Sequence, residues 1–269
     1  MAAGLSAADA ARRFRQGLGT KCRVIGALMR RETVTRFGRN RLGYLWALIE
    51  PIAFVALFVM IRNAIHASIP FGTSMLLFLV TGLVSFRVWR AIAGRTTPAI
   101  SSNRSLLAYP MVRPLDGIFA RIVLESLTMI VVLVIFYGFL TAVEPARVIV
   151  RPAEFTAAII VTLYLGAAVG CFNAVFTVLS PTWQRIWGIL SFPLLIMSGI
   201  FYVPALLPPS AQAILSWNPI LHCIEWFRIA IYIDYQTLLD RPYPIEFATA
   251  TFAIALAAER LYRNRLLQP

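Results

Sequence analysis

The residues that could do chemistry are sparse and scattered along the 269 residues of the chain. A nucleotide-binding P-loop needs the pattern Gly-x4-Gly-Lys-Ser/Thr, in which backbone amides and the lysine hold the phosphates. The only lysine, Lys21, stands in residues 17–22, whose order Gly-Leu-Gly-Thr-Lys-Cys does not fit this pattern. The sequence therefore predicts that this chain does not hydrolyse ATP alone.

Metal sites need clustered ligands, and one common serine nucleophile stands in a Gly-x-Ser-x-Gly turn; the sequence contains neither pattern. His66 and His222 stand far apart, and the cysteines Cys22, Cys171 and Cys223 fall in three different segments. The neighbours His222 and Cys223 would point about 100° apart on a helix. We therefore expect no catalytic residue, no metal site and no cofactor bound by this chain, with His222 and Cys223 as packing residues.

Four acidic residues near the carboxyl end could still belong to an enzyme. Glu225, Asp234, Asp240 and Glu246 all fall on the predicted outer side of the membrane. An integral-membrane enzyme acting on lipid-linked sugars would need such carboxylates to converge on one membrane face. Turn-forming residues lie nearby, so the sequence favours a solvated polar loop over an active site.

The elements that position these residues are apolar helices. Hydrophobic residues make up 59% of the chain and charged residues only 14%, against roughly 25% charged in soluble domains. The mean hydropathy is +0.74. A helix needs about 20 apolar residues to cross a bilayer. Six segments are predicted to span the membrane: 42–61, 73–93, 122–143, 155–179, 186–202 and 244–261.

The net charge of +13 raises nucleic-acid binding as an alternative, but the positions of the charges favour membrane orientation. Six spans put both termini on one side, where twenty of the 25 basic residues then lie. Basic residues gather in cytoplasmic loops of membrane proteins. We therefore expect a multi-pass membrane protein with both termini in the cytoplasm and no nucleic-acid partner.

We predict an all-α integral membrane fold in three parts. Residues 1–41 form a cytoplasmic segment whose amphipathic helix lies at the membrane interface or docks on another chain. Residues 42–261 form the six-span domain, and residues 262–269 a cytoplasmic tail. Within the second part, residues 203–232 contain several prolines and an Asn-Pro break, which favours a re-entrant helical hairpin on the outer, periplasmic side between spans five and six.

Ionisable side chains inside spans cost roughly 2.5–3.5 kcal/mol each and are candidates for function. Glu50 has no partner nearby in sequence, and Arg87 or Arg90 on the second span could reach it from a similar depth. We expect this pair to join the first two spans near an inner gate. Glu125 stands one turn after Arg121, which is the spacing of an ion pair within one helix.

Small and aromatic residues predict packing and a possible path. Gly166 and Gly170 have the spacing that lets two helix backbones approach closely, and packing within the chain is the favoured use. Many aromatic residues suit the belt at the membrane surface. Four deeper ones, or ones beside the hairpin, could instead line a path for sugar rings: Phe54, Phe58, Phe201 and Tyr202.

Three segments carry a resemblance to a known family. Residues 36–51 read Arg-Phe-Gly-Arg-Asn-Arg-Leu-Gly-Tyr-Leu-Trp-Ala-Leu-Ile-Glu-Pro. Residues 103–110 read Asn-Arg-Ser-Leu-Leu-Ala-Tyr-Pro and are followed by Val112-Arg113-Pro114. Residues 198–202 read Ser-Gly-Ile-Phe-Tyr, with Trp217-Asn218-Pro219 after them. In this order the segments resemble the membrane subunits of type-2 ABC exporters of polysaccharide, and most of all the KpsM-type capsule polysaccharide export permeases.

The resemblance implies a permease that exports lipid-linked capsular polysaccharide across the bacterial inner membrane. It implies a homodimer with two copies of an ATP-binding subunit, which uses ATP and Mg²⁺. It also implies a periplasmic polysaccharide co-polymerase and an outer-membrane export protein as partners. A sibling exporter of O-antigen or teichoic acid remains open, and so does the membrane enzyme described above.

Carried over by position, the resemblance places a coupling helix at residues 100–113. We call residues 94–118 the coupling segment. Its contacts with the ATP-binding subunit would be Arg104, Leu106, Leu107, Tyr109 and Arg113. Arg36, Phe37 and Arg39 would lie at the membrane surface near the same subunit. For Arg104 and Arg113, orientation by positive charge on the inner side is the alternative reading.

Overall fold

A computed structural model describes residues 7–37, 42–66, 68–107, 109, 112–143 and 149–267, and all regular structure within them is helical. Ten α-helices are present in this part of the chain: α1 Ala7–Phe37, α2 Leu42–Ala64, α3 Met75–Thr96, α4 Pro114–Val143, α5 Pro152–Leu179, α6 Pro181–Met197, α7 Pro209–Leu215, α8 Pro219–Ile231, α9 Pro242–Leu261 and α10 Arg263–Leu267. Short 3₁₀ helices cover Thr97–Ala99, Ser101–Leu106 and Pro204–Leu206. The predicted all-helical fold is confirmed.

Prolines set where many of these helices begin. Every helix from α4 to α9 has a proline as its first residue. Proline suits this position because its φ is already helical and its missing N–H would have no partner there. Of the described segments, three are long and apolar enough to cross a bilayer: Met75–Ala99, Pro114–Val143 and Pro152–Leu179.

The core of the bundle forms around α5. This helix packs against α3, α6, α8 and α9, while α2 and α4 lie against α3. Gly166 and Gly170 allow the close contact with α3: a Cβ at Gly166 would lie 3.1 Å from the Cβ of Ile92, and one at Gly170 would lie 3.0 Å from the Cβ of Thr96. The prediction that this glycine pair packs within the chain is confirmed.

Several of the described helices, α4 as well as α2 and α6, keep apolar faces uncovered. On α2, the side chains of Ile52, Leu57 and Met60 are all more than half exposed. On α6, Ile189 and Phe192 are similarly exposed. These faces would contact lipid or another protein in a membrane, because apolar surface is not left in water on this scale.

The fifth predicted span is shifted in the structure. Residues 186–202 were expected to be helical, but α6 begins at Pro181 and ends at Met197. Gly199 has a left-handed φ of 70°, and a Cβ there would lie 2.6 Å from the ring of Pro204. Glycine is suited to this turn because it adopts positive φ without strain, so the chain leaves the helix before Tyr202.

The proline-rich stretch after this turn forms two short helices, α7 and α8, as the sequence predicts. The break between them falls at Ser216–Asn218. The side chain of Asn218 caps α8 by accepting from the backbone N–H of Ile220, and its amide donates to the hydroxyl of Ser198. One asparagine therefore starts α8 and ties it to the end of α6.

Candidate functional site

Between α3 and α4 the coupling segment forms two short 3₁₀ helices. The predicted coupling helix, residues 100–113, is therefore a 3₁₀ helix only over its first half, Ser101–Leu106, and the described residues between Leu106 and α4 are not helical. Arg104, Tyr109 and Arg113 are exposed, with 63% of Tyr109 accessible, and Leu106 and Leu107 are half-buried. Arg36 and Phe37 end α1, but their side chains lie outside the described residues, as does all of Arg39. The structure therefore presents Arg104, Tyr109 and Arg113 on one exposed stretch.

The first helix holds this segment through an ion pair that the sequence did not reveal. Lys21 donates from Nζ to both carboxylate oxygens of Asp116, at 2.9 and 2.6 Å. The backbone N–H of Arg113 also donates to Asp116 Oδ2, at 2.8 Å. The buried carboxylate thus caps the start of α4 and fixes α1 against it. Lys21 and Asp116 stand 95 residues apart, so spacing alone could not pair them.

Glu50 and Arg87 form an ion pair between α2 and α3. Arg90 and Arg95 line the same cavity, which measures about 200 Å³ and is completed by Ala91 and Gly94. Arg87 is paired with Glu50 and Arg95 with Glu125, so the three arginines leave the cavity with one positive charge in excess. The structure therefore brings the predicted partners together at an open basic cavity, while their role as a gate remains a prediction.

Three of the four aromatic residues predicted for the path form a row. The rings of Phe54 and Phe58 lie 4.9 Å apart, and those of Phe58 and Phe201 lie 4.8 Å apart. The Tyr202 hydroxyl donates to the backbone carbonyl of Ile196, at 3.1 Å. The row thus runs from α2 to the turn after α6. In this turn the Tyr202 side chain is held by its hydrogen bond to Ile196.

Glu225 is not part of a solvated loop, so that expectation was wrong for this residue. Its side chain and that of Arg228 are both 0% exposed, and they face each other at 3.5 Å on α8. The Tyr235 hydroxyl donates to Glu225 at 2.6 Å, and the Thr237 hydroxyl donates at 2.8 Å. Burial raises the pKa of the Tyr235 phenol above its ordinary value, so the phenol keeps the proton it donates. Asp234 and Asp240 are exposed in the loop, as expected, whereas Glu246 is exposed on α9 and not in a loop.

Arg228 joins α8 to the turn after α6. It donates to the carbonyl oxygens of Ile200 at 3.0 Å and of Tyr202 at 3.2 Å. Its guanidinium lies 4.1 Å from the ring centre of Phe78 on α3. The i,i+3 spacing of Glu225 and Arg228 in a short apolar helix was the available sequence signal, because buried charges are paired.

The prediction that Arg121 forms an ion pair with Glu125 was also wrong. Glu125 accepts from Arg95 on α3 at 3.0 Å, and Arg121 pairs with Glu32 on α1 at 2.7 Å. Both pairs connect different helices. Tertiary packing brought opposite charges close enough to replace the intrahelical contact.

His222 behaves as the expected packing residue. It is 2% exposed, its Nδ1 accepts from the backbone N–H of Asp240 at 3.0 Å, and its Nε2 lies 2.8 Å from the carbonyl of Ser216. Because Nδ1 accepts, the ring proton is on Nε2 and is donated to Ser216. The histidine therefore connects α8 to Ser216 before it and to the loop before α9.

Residues 23–232 carry the coupling segment, the basic cavity, the aromatic row and the buried pair, and this stretch matches the family model described as ABC-2 type transporter. The chain belongs to the ABC-2 type transporter family. The resemblance seen in the three sequence segments is thereby confirmed at the level of the family.

Relatives match along most of the chain. The capsule polysaccharide export inner-membrane protein BexB of Haemophilus influenzae is 34% identical, covering 82% of this chain and 83% of its own length. The capsule polysaccharide export inner-membrane protein CtrC of Neisseria meningitidis serogroup B is 30% identical, covering 86% and 88%. The polysialic acid transport protein KpsM of Escherichia coli is 32% identical, covering 93% and 96%. This chain is therefore similar to whole proteins of the KpsM type.

Proposed function

We propose that this chain is the membrane-spanning permease subunit of an ABC transporter that exports lipid-linked capsular polysaccharide across the bacterial inner membrane. The observation that carries the proposal is the similarity to BexB, CtrC and KpsM, each matched over more than four fifths of both chains. In this proposal the chain transports polysaccharide and does not catalyse a reaction.

Six membrane spans are proposed: α2, α3, α4, α5, α6 and α9. Helices α7 and α8 form the re-entrant hairpin on the periplasmic side, and α1 lies at the cytoplasmic interface. Support comes from the three long apolar segments and from the basic residues, twenty of which lie on the cytoplasmic side in this arrangement. Both termini are then cytoplasmic.

The polysaccharide path is proposed to run between two copies of this chain. The uncovered apolar faces of α2 and α6 supply the surface for a homodimer. The row of Phe54, Phe58 and Phe201 lies beside it and offers flat apolar faces to sugar rings. Such contacts are individually weak, so a polymer can leave each position as easily as it enters.

Two copies of a separate ATP-binding subunit, which uses ATP and Mg²⁺, are proposed to drive export through the coupling segment. The exposed side chains of Arg104, Tyr109 and Arg113 support a protein contact at this place. ATP binding would favour one of two arrangements of the spans because the ATP-bound subunits bind the two arrangements with different affinity.

The basic cavity at Glu50 supports a site for an anionic part of the lipid-linked substrate. Its arginines lie on the half of α3 that continues into the coupling segment, which is where cytoplasmic substrate would arrive. On the periplasmic side, the exposed side chains of Leu206, Ile214 and Trp217 are proposed to contact the co-polymerase, which in turn meets an outer-membrane export protein.

The test of this function is deletion of the gene followed by localisation of the polysaccharide. Export predicts that polymer is still made and accumulates inside the cell. Loss of synthesis would contradict the proposal and favour the enzyme alternative. Complementation with the intact chain restores surface polymer in the expected case and controls for effects on neighbouring genes.

A further inference from the structure

The contact between α1 and the coupling segment has more than one point of attachment. The first is the pair of Lys21 with Asp116, whose side chain is 6% exposed. Because Asp116 also accepts the backbone N–H of Arg113, a displacement of α1 at this point pulls directly on the first turn of α4.

The second point lies further along α1. Arg31 Nη1 donates to Asn103 Oδ1 at 3.0 Å, and Asn103 Nδ2 donates to the carbonyl of Ala99 at 2.8 Å. Asn103 is buried, and a Cβ at Gly117 would lie 3.3 Å from its amide nitrogen. The amide is thus held between the segment, α4 and α1.

The third point is Arg121 of α4, which contacts three elements. It pairs with Glu32 of α1 at 2.7 Å. It also donates to the hydroxyl of Ser102 at 2.7 Å and to the carbonyl of Arg95 at 3.3 Å. One guanidinium therefore joins α1, the 3₁₀ helix and the end of α3.

These attachments restrict both sliding and tilting of α1. Lys21 and Arg31 are separated by about 15 Å along the helix axis, from a rise of about 1.5 Å per residue. Two fixed points at that separation define the direction of the axis. Arg104 and Tyr109 remain exposed, so the segment is held by α1 while an open face is left for a partner.

We propose that Lys21, through Asp116, is a positioning residue for energy coupling, and that α1 and the coupling segment move as one rigid unit. Motion delivered to the segment then reaches α1 and α4 together. This proposal rests on the proposed export function, because it concerns how the motion of an ATP-binding subunit is transmitted.

The first experiment compares charge variants of α1 in the complex with the ATP-binding subunit. Lys21→Glu places a negative charge against Asp116 and should lower polysaccharide export per ATP hydrolysed about fivefold, with association of the ATP-binding subunit retained. Lys21→Arg keeps the charge and should export normally. Arg23→Glu makes the same charge change at an exposed neighbour and is the matched control. Export by Lys21→Glu equal to that of Arg23→Glu would overturn the proposal.

A second measurement needs neither folding of Lys21→Glu nor polymer. Spin labels at Arg23→Cys and Ser105→Cys, in a Cys22→Ser background, report the distance between α1 and the coupling segment in the complex. Rigid movement predicts a change of no more than about 2 Å, the size of ordinary helix shifts, between nucleotide-free and ATP-bound states. A larger change would overturn the proposal. If the wild-type complex exports no polysaccharide, the proposed function fails, while this distance still decides the rigid unit.

Discussion

Glu225 and Arg228 place a full ion pair in the protein interior on α8, where neither side chain is exposed. The carboxylate accepts from Tyr235 and Thr237, and the guanidinium donates to carbonyl groups of the turn after α6. Burying charge is costly unless pairing and hydrogen bonds replace the lost water. Removal of one partner should therefore cost more than removal of an exposed charge.

Arg228→Met is expected to destabilise the protein by about 3 kcal/mol, because it leaves Glu225 charged and unpaired in the interior. The measurement is thermal unfolding of purified protein in detergent, followed by tryptophan fluorescence. Asp234→Asn removes an exposed charge from the neighbouring loop and should leave the midpoint unchanged. Equal midpoints for Arg228→Met and the wild type would contradict the burial of this pair.

For the pair of Glu50 with Arg87 we predict an effect on export, because both side chains line an open cavity. Glu50→Arg should reduce export by placing two positive charges together between α2 and α3. The double variant Glu50→Arg with Arg87→Glu should recover export if the pair itself joins the helices. Surface polysaccharide measured by antibody binding reports the result, and a double variant no better than the single one would count against the pair.

Among the structural elements, the coupling segment carries exposed side chains that remain accessible to a partner protein. Replacing Tyr109 and Arg113 together by Ala should weaken association with the ATP-binding subunit and reduce export severalfold, because both lie on the exposed stretch. Copurification and surface polymer are the two measurements. Ser105→Ala, at another exposed position of the same segment, is the control. Normal copurification and normal capsule would refute this assignment.

The close contact of α5 with α3 depends on glycines, which have no side chain, at the points where the two helices meet. Gly170→Leu should destabilise the bundle by about 1–3 kcal/mol, the usual cost of overpacking, because its Cβ would meet Thr96 at 3.0 Å. Gly138→Leu is the matched control, since no atom of another helix lies within 4 Å of the Cβ position there. The unfolding temperatures of both variants in detergent measure the difference. Similar losses at the two sites would argue against the close α3–α5 contact.

The features that the sequence predicted best are those that depend on a few residues close together in the chain. Gly166 and Gly170 indicated a close helix contact, and the Asn218-Pro219 break fell where α8 begins. The end of α6 was missed because apolar composition continues through Phe201 while the backbone turns at Gly199.

The site was predicted less completely, because its contacts join distant parts of the chain. Lys21 and Asp116 form an ion pair although they stand 95 residues apart in the sequence. Arg121 pairs with Glu32 on another helix and not with Glu125 on its own helix. Helical spacing gives the candidates for an ion pair, but the packing of α1 on α4 decides among them. The aromatic row likewise needed the turn at Gly199 to bring Phe201 to Phe58.

For the whole molecule, the proposed orientation can be tested with a native residue. Cys22 is exposed on α1, whereas Cys171 and Cys223 are buried. A membrane-impermeant maleimide should therefore label inside-out vesicles and leave intact spheroplasts unlabelled, because α1 is proposed to face the cytoplasm. Cys22→Ser should abolish the signal and serves as the control. Labelling of intact spheroplasts at Cys22 would reverse the proposed topology.

The single lysine has a practical consequence for the study of any assembly that contains this chain. Its ammonium is held by Asp116, and the other basic side chains are arginines. Amine-directed cross-linking reagents therefore have one side chain to attack, and that one is already engaged. Mass-spectrometric maps of subunit contacts will need photoactivated or carboxylate-directed reagents, since with amine chemistry a genuine interface on this chain would pass undetected.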